Sequence, residues 1–171
     1  NLPAGFYVAP DVPALNTLLS APDRQLLGQA QEQWLSDELR RSVQTNVTWQ
    51  VLGNQIMFAP INAPDLSRTP AALADALERL IPGVKQQLKL TRFAFPLNTD
   101  SWDGYPAARD RVLAAIRAAG GNVLVITGDS HTAWANEIND AQGRVAVEFG
   151  ATSISSPGQG EYFAPFGIDF D

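Results

Sequence analysis

From Gly28 to Val43 the apolar positions Ala30, Trp34, Leu35, Leu39 and Val43 recur at three- and four-residue spacing. That period predicts an amphipathic helix whose other side is Gln, Glu and Arg. Asn46 to Leu52 is rich in strand formers (Val47, Thr48, Trp49, Val51) and breaks at Gly53-Asn54-Gln55, the pattern of a strand running into a loop. Ala107 to Ala119 repeats the helical spacing, with Val112, Leu113, Ile116 and Ala119 turned inward and Gly120-Gly121 as its stop. Directly after it, Asn122 to Thr127 holds the continuous apolar run Val123-Leu124-Val125-Ile126, which predicts a strand covered on both faces. It breaks at Gly128-Asp129-Ser130-His131. Arg144 to Phe149 alternates apolar and polar residues and predicts a further strand, followed by a hydroxyl-rich loop from Thr152 to Gly158.

Two stretches lack such regularity. Residues 1–25 carry several prolines and no sustained period, so extended coil is expected there. Residues 60–98 are also proline-rich and hold one clear short helix, Pro70 to Ile81, started by proline and stopped by Pro82-Gly83. This stretch reads as an insertion or lid. Helix, strand, helix, strand, strand is a layered α/β pattern.

Composition narrows the chemistry. The chain has no Cys, one His and a net charge of −6 over 171 residues. Disulfides, thiolate zinc sites, a Cys nucleophile and multi-His metal motifs are therefore excluded. Any metal chemistry must rest on oxygen ligands and His131. An acidic chain offers no basic face for a nucleic-acid backbone. Nothing reaches the ~18 consecutive apolar residues of a membrane span, and Asn1-Leu2-Pro3 lacks the regions of a signal peptide. A start without Met and an end at Gly167-Ile168-Asp169-Phe170-Asp171 are what a piece of a longer protein is expected to show.

In α/β sheets ligands bind at the carboxyl ends of strands, and such ends here carry candidate groups. Asp129 and His131, two residues apart, point the same way if the segment is extended, and a carboxylate with an imidazole can hold a cation. Spacing alone favours a plainer reading, in which Asp129 or Ser130 caps a short helix with Trp134 and Ile138 inside. Asn54 offers a neutral oxygen suited to hard cations, although Gly-Asn is also an ordinary turn. The hydroxyls of 152–158 fit either an oxyanion or a solvated loop. Arg109 falls in the first turn of a predicted helix, an unfavourable place for a cation, so either an anionic ligand or the neighbouring Asp103 accounts for it. No G-x-S-x-G elbow is present, which argues against a serine hydrolase.

The order of these pieces is specific. Leu27 to Leu35 (LGQAQEQWL), Trp49 to Gln55 (WQVLGNQ), Asp100 to Arg109 (DSWDGYPAAR), Val125 to Ala135 (VITGDSHTAWA) and Val147 to Ser156 (VEFGATSISS) together resemble the PhoD-like alkaline phosphatases across about residues 26–158. The resemblance implies part of a calcineurin-like α/β/β/α sandwich, strands with covering helices and an inserted loop or lid. Residues 1–171 would be the C-terminal portion of the metallophosphatase domain, with the N-terminal half of the same domain completing the fold. It further implies export to the periplasm or cell exterior, and hydrolysis of phosphate mono- and diesters by a metal-activated hydroxide at a centre of calcium and iron. On this resemblance Asp129, His131 and Asn54 are expected metal ligands, with Gln55 an alternative to Asn54. Tyr105 and Arg109 are expected to stabilise phosphoryl oxygens.

The family's earlier ligand segments, which supply a Cys, an Asp, a Tyr and an Asn, have no counterpart here. The chain is thus expected to carry only part of the site and to be inactive alone. Two other readings fit the same residues: a phospholipase D-type phosphodiesterase on this scaffold, and a non-catalytic binding or interaction domain.

Overall fold

The structure is a computed structural model that describes residues 10–61, 64–96, 98–158 and 161. The beginning of the coil expected over 1–25, and the chain end from residue 162 onward, lie outside the described residues. Four strands form one sheet in the order β1-β2-β4-β3: β1 Gln50–Gly53, β2 Val123–Thr127, β3 Trp134–Asp140 and β4 Gly143–Gly150. Strands β1, β2 and β4 run parallel, and β3 returns antiparallel to β4. Helix α2 (Gln29–Gln44) and helix α5 (Pro106–Ala119) cover one face. The fold class is α/β, as the pattern of elements indicates.

Local chemistry explains the boundaries. Helix α2 ends in a Schellman motif: Asn46 takes φ 61°, its N–H donates to the Val43 carbonyl, and the Val47 N–H donates to Ser42. Residues 46–49 therefore belong to the turn, and β1 starts at Gln50 rather than at Asn46. Pro106 opens α5 and Gly120, at φ 71°, closes it. The ion pair of Arg111 with Glu32 (2.7 Å) ties α5 to α2. At the far end of α5, Arg117 donates to Asp140, whose carboxyl is held below its ordinary value mainly by that hydrogen bond.

The core joins Leu35 and Leu39 of α2, Ala108, Val112, Leu113 and Ile116 of α5, and Val123, Val125, Ile138 and Ala146 of the sheet. Phe58 and Trp102 close it at one end, with ring centroids 4.9 Å apart in an edge-to-face arrangement. Trp34, expected inside, is 60% exposed.

Four further expectations change. Within the segment read as coil, α1 spans Val12–Leu19, with the Asp11 carboxylate accepting the Ala14 N–H as a cap. In the stretch read as a lid, α4 (Val84–Leu90) follows α3 (Ala71–Leu80), and no residue of either helix is buried. Residues 134–138 form strand β3 and not a capped helix. A spacing of four satisfies both periods, and Asn136 between Trp134 and Ile138, facing the same way, completes a period of two. Finally, among the described residues β2 is covered on one face only. Val51, Leu124, Ile126, Val147 and Phe149 share the opposite face, where Val51 is 59%, Phe149 54% and Ile126 46% exposed.

Candidate functional site

Because β1, β2 and β4 are parallel, their carboxyl ends meet at one edge of the sheet. Backbone hydrogen bonds join the segments that leave these strand ends: Asn54 N–H donates to Ile126, Gly128 N–H to Gln55, and Ala151 N–H to Thr127. Asn54 and Gln55 thus lie beside the Gly128–His131 turn, and the 152–158 loop leaves from its other side.

The turn itself is strained. Asp129 has φ 64° and His131 φ 56°, the left-handed region that Asp and His tolerate better than most residues but still at a cost. Two such residues flanking one serine mark a segment whose shape the surroundings impose. Those surroundings are visible. The Trp134 indole N–H donates to Ser130 Oγ (2.9 Å), and that hydroxyl donates to the Thr132 carbonyl (3.1 Å). Gly150 makes room for the indole, since a Cβ there would lie 3.0 Å from Trp134 Cδ1.

His131 Nδ1 lies 3.1 Å from the Pro157 carbonyl. A carbonyl only accepts, so Nδ1 is the donor in this bond, and in a neutral imidazole so bonded Nε2 carries the lone pair. That is the arrangement of a ligating histidine. Among the described residues none donates a hydrogen bond to the Asp129 carboxylate. The donor types suit part of a metal shell, one carboxylate and one imidazole, and the Asn54 amide oxygen lies on the same side of the sheet but accepts from the Trp102 indole N–H (3.3 Å). They make no complete shell, because no group of three or more His, Cys, Asp or Glu side chains comes close enough to hold an ion among the described residues.

Asp129 and Ser130 share a pocket of about 310 Å³ with Met57, Asn98, Ser101 and Asp103. Asp103, weighed in the sequence only as a neighbour for Arg109, is 7% exposed. One of its oxygens accepts from Arg109 Nη1 (2.7 Å) and the other from the Ile61 N–H (2.8 Å). Arg109 therefore lies against a buried carboxylate. Tyr105 takes the Arg24 guanidinium over its ring at 4.8 Å, and Arg24 Nε donates to the Gly104 carbonyl. The structure brings Asn54, Asp129 and His131 to the strand-end side of the sheet, Asn54 lining the cavity beside Trp102 and Asp129 the one beside Asp103, while Tyr105 and Arg109 sit at the start of α5.

Gly104 holds this corner together. A Cβ there would come 1.8 Å from the Thr99 carbonyl oxygen, a backbone atom that cannot swing aside. Gly104→Ala in the full-length protein that carries this chain is expected to lower stability by about 3 kcal/mol. Gly128→Ala, where nothing lies within 4 Å, is expected to leave folding unchanged. Thermal unfolding of both variants checks the contrast.

Sequence reading missed two members of this region. Pro157 was part of an undifferentiated loop. Glu148 looked like the polar position of an alternating strand, yet it is fully buried.

No solved structure gives a significant match to the chain. Alkaline phosphatase D of Bacillus subtilis (strain 168) is 37% identical over 145 residues, a match that covers 81% of this chain and 20% of that protein. The chain thus spans about a fifth of the relative's length. The profile of the PhoD-like phosphatases matches residues 10–167, nearly the whole sequence and all of the strand-end segments. The chain belongs to the PhoD-like phosphatase family.

Proposed function

We propose that the chain is the part of a phosphatase that presents Asn54, Asp129 and His131 to a metal centre hydrolysing phosphate mono- and diesters. The observation that supports this reading is His131: its Nδ1 is turned to the Pro157 carbonyl, which leaves Nε2 facing away from that bond, and it sits in a left-handed backbone beside the Trp134–Ser130–Thr132 hydrogen bonds. Ions bound at this edge, calcium and iron by the family resemblance, would supply charge neutralisation at the phosphate and acidification of water. The chain's net charge of −6 favours such local positive charge where an anionic ester is to be accepted.

The chain's own residues hold and orient. Asp129 and His131 bind from the β2 turn, and Asn54 binds from the β1 loop. Arg109 gives one N–H to Asp103, and a guanidinium has five, so the residue also has donors for phosphoryl oxygens; Tyr105 is the second such candidate. The rest of the domain, its N-terminal half, packs on the open face of Val51, Ile126 and Phe149 and supplies the remaining ligands. Residues 60–98, with α3 and α4, act as a lid. By the family resemblance the enzyme works in the periplasm or outside the cell.

Metal content and substrate preference of the full-length protein test this reading. Elemental analysis is expected to find bound metal that falls in Asp129→Asn, with a nitrophenyl monoester and its diester both hydrolysed. A lipid diester cleaved far faster than either would move the assignment to a phospholipase D-type activity. Absence of bound metal together with absence of hydrolysis would leave a binding domain.

A further inference from the structure

Glu148 is a fully buried carboxylate, and none of the ion pairs among the described residues includes it. A charge in that position needs strong hydrogen bonds. It has three: the Phe58 N–H donates to Oε1 (2.6 Å), the Ala59 N–H to Oε2 (3.0 Å), and Asn136 Nδ2 also to Oε2 (3.1 Å).

Two of those donors belong to a segment that has left β1 and has no ladder of its own. Buried N–H groups there require an acceptor, and one carboxylate serves both, with charge-assisted bonds. What the bonds fix reaches the strand end. Phe58 packs edge-to-face on Trp102, and the Trp102 indole N–H donates to Asn54 Oδ1 (3.3 Å), while Asn54 Nδ2 donates to the Ile56 carbonyl. These contacts connect Glu148, in the middle of the sheet's buried face, to the Asn54 oxygen.

We propose that Glu148 is a positioning residue for the strand-end site: it anchors residues 58–59 and, through Phe58 and Trp102, orients Asn54. The proposal rests on the reading of that edge as a metal centre. It assigns Glu148 no contact with metal or substrate.

The test uses the full-length protein stripped of metal and titrated calorimetrically with calcium ion, beside thermal unfolding. Glu148→Gln puts an amide donor against an N–H. Trp102→Phe keeps a ring against Phe58 and removes only the hold on Asn54. Both are expected to weaken calcium binding about 10- to 100-fold, the usual cost of losing support behind a ligand. Ile116→Val, a core truncation away from this segment, is expected to lower the unfolding temperature with calcium affinity unchanged. Glu148→Asp, which keeps the charge, is expected to recover part of the affinity.

Unchanged calcium affinity in Glu148→Gln and Trp102→Phe would overturn the proposal, as would an equal loss in Ile116→Val. If Glu148→Gln does not fold, Trp102→Phe decides alone. A wild-type protein that binds no calcium, with His131→Ala hydrolysing at full rate, would instead overturn the metal-centre reading and this proposal with it.

Discussion

His131→Ala in the full-length protein is expected to lower kcat/KM for a phosphate monoester by about 10³-fold. The size reflects what a lost ligand removes: several kcal/mol of charge stabilisation at phosphorus, at about 1.4 kcal/mol per factor of ten. The change should appear mostly in kcat, because the interaction strengthens as charge develops in the transition state. Chelation of the unaltered protein is expected to give a loss of at least that size, reversed when metal is restored. Among the described residues the imidazole makes one hydrogen bond, to the Pro157 carbonyl on an exposed side, so its removal strands no buried donor and the unfolding temperature should move little. Steady-state hydrolysis of a nitrophenyl ester, with thermal unfolding on the same samples, checks both halves. Full-rate hydrolysis by the chelated protein or by His131→Ala would sink the metal-centre reading.

Arg109→Ala is expected to cost about 3 kcal/mol of stability. Asp103 and Arg109 expose only 6% and 15% of their side chains, and removing the cation leaves a carboxylate in a site from which water is largely excluded. Asp103 keeps the Ile61 N–H, which offsets the loss in part. The unfolding temperature of the full-length protein should fall accordingly. Replacing both partners, Asp103→Asn with Arg109→Met, should recover most of the loss because no unpaired charge remains. Arg109→Lys separates structure from chemistry. It keeps a cation beside Asp103 and should restore most of the stability, yet it lacks the planar fork that grips a phosphate, so a raised KM would persist only if the guanidinium also contacts substrate.

Strong local signals were legible in the sequence. Helices α2, α3 and α5 and strands β2 and β4 could be read from period and punctuation, because a long amphipathic stripe or a short apolar run flanked by Gly has few alternative structures. Trp134 to Ile138 was ambiguous on spacing, and Asn136 between them, a poor strand former, hides the strand until its pairing with Glu148 of β4 is seen. In β4 the alternation was visible but not which side faces the helices. Ala146, Glu148 and Gly150 are the buried set, while Val147 and Phe149 occupy the open face. Polarity alone assigns those faces the wrong way round, since a buried carboxylate satisfied by backbone N–H groups 90 positions away leaves no local trace. The strand-end placement of Asn54, Asp129 and His131 was foreseeable from loops that succeed strands. The partners that shape them, Pro157, Trp134 and Trp102, arrive through tertiary structure.

The paired left-handed residues at 129 and 131 also bear on how this turn can vary. A β-branched residue at either place is penalised by the backbone before its chemistry is considered, so substitution there is filtered twice. Glycine passes the first filter and fails the second. His131→Gly would relax the turn while discarding the imidazole, which makes the most stable version of this loop a chemically blank one. Foldability and chemistry pull in opposite directions at these two positions, and the side chains found there are ones that the strained conformation least resists.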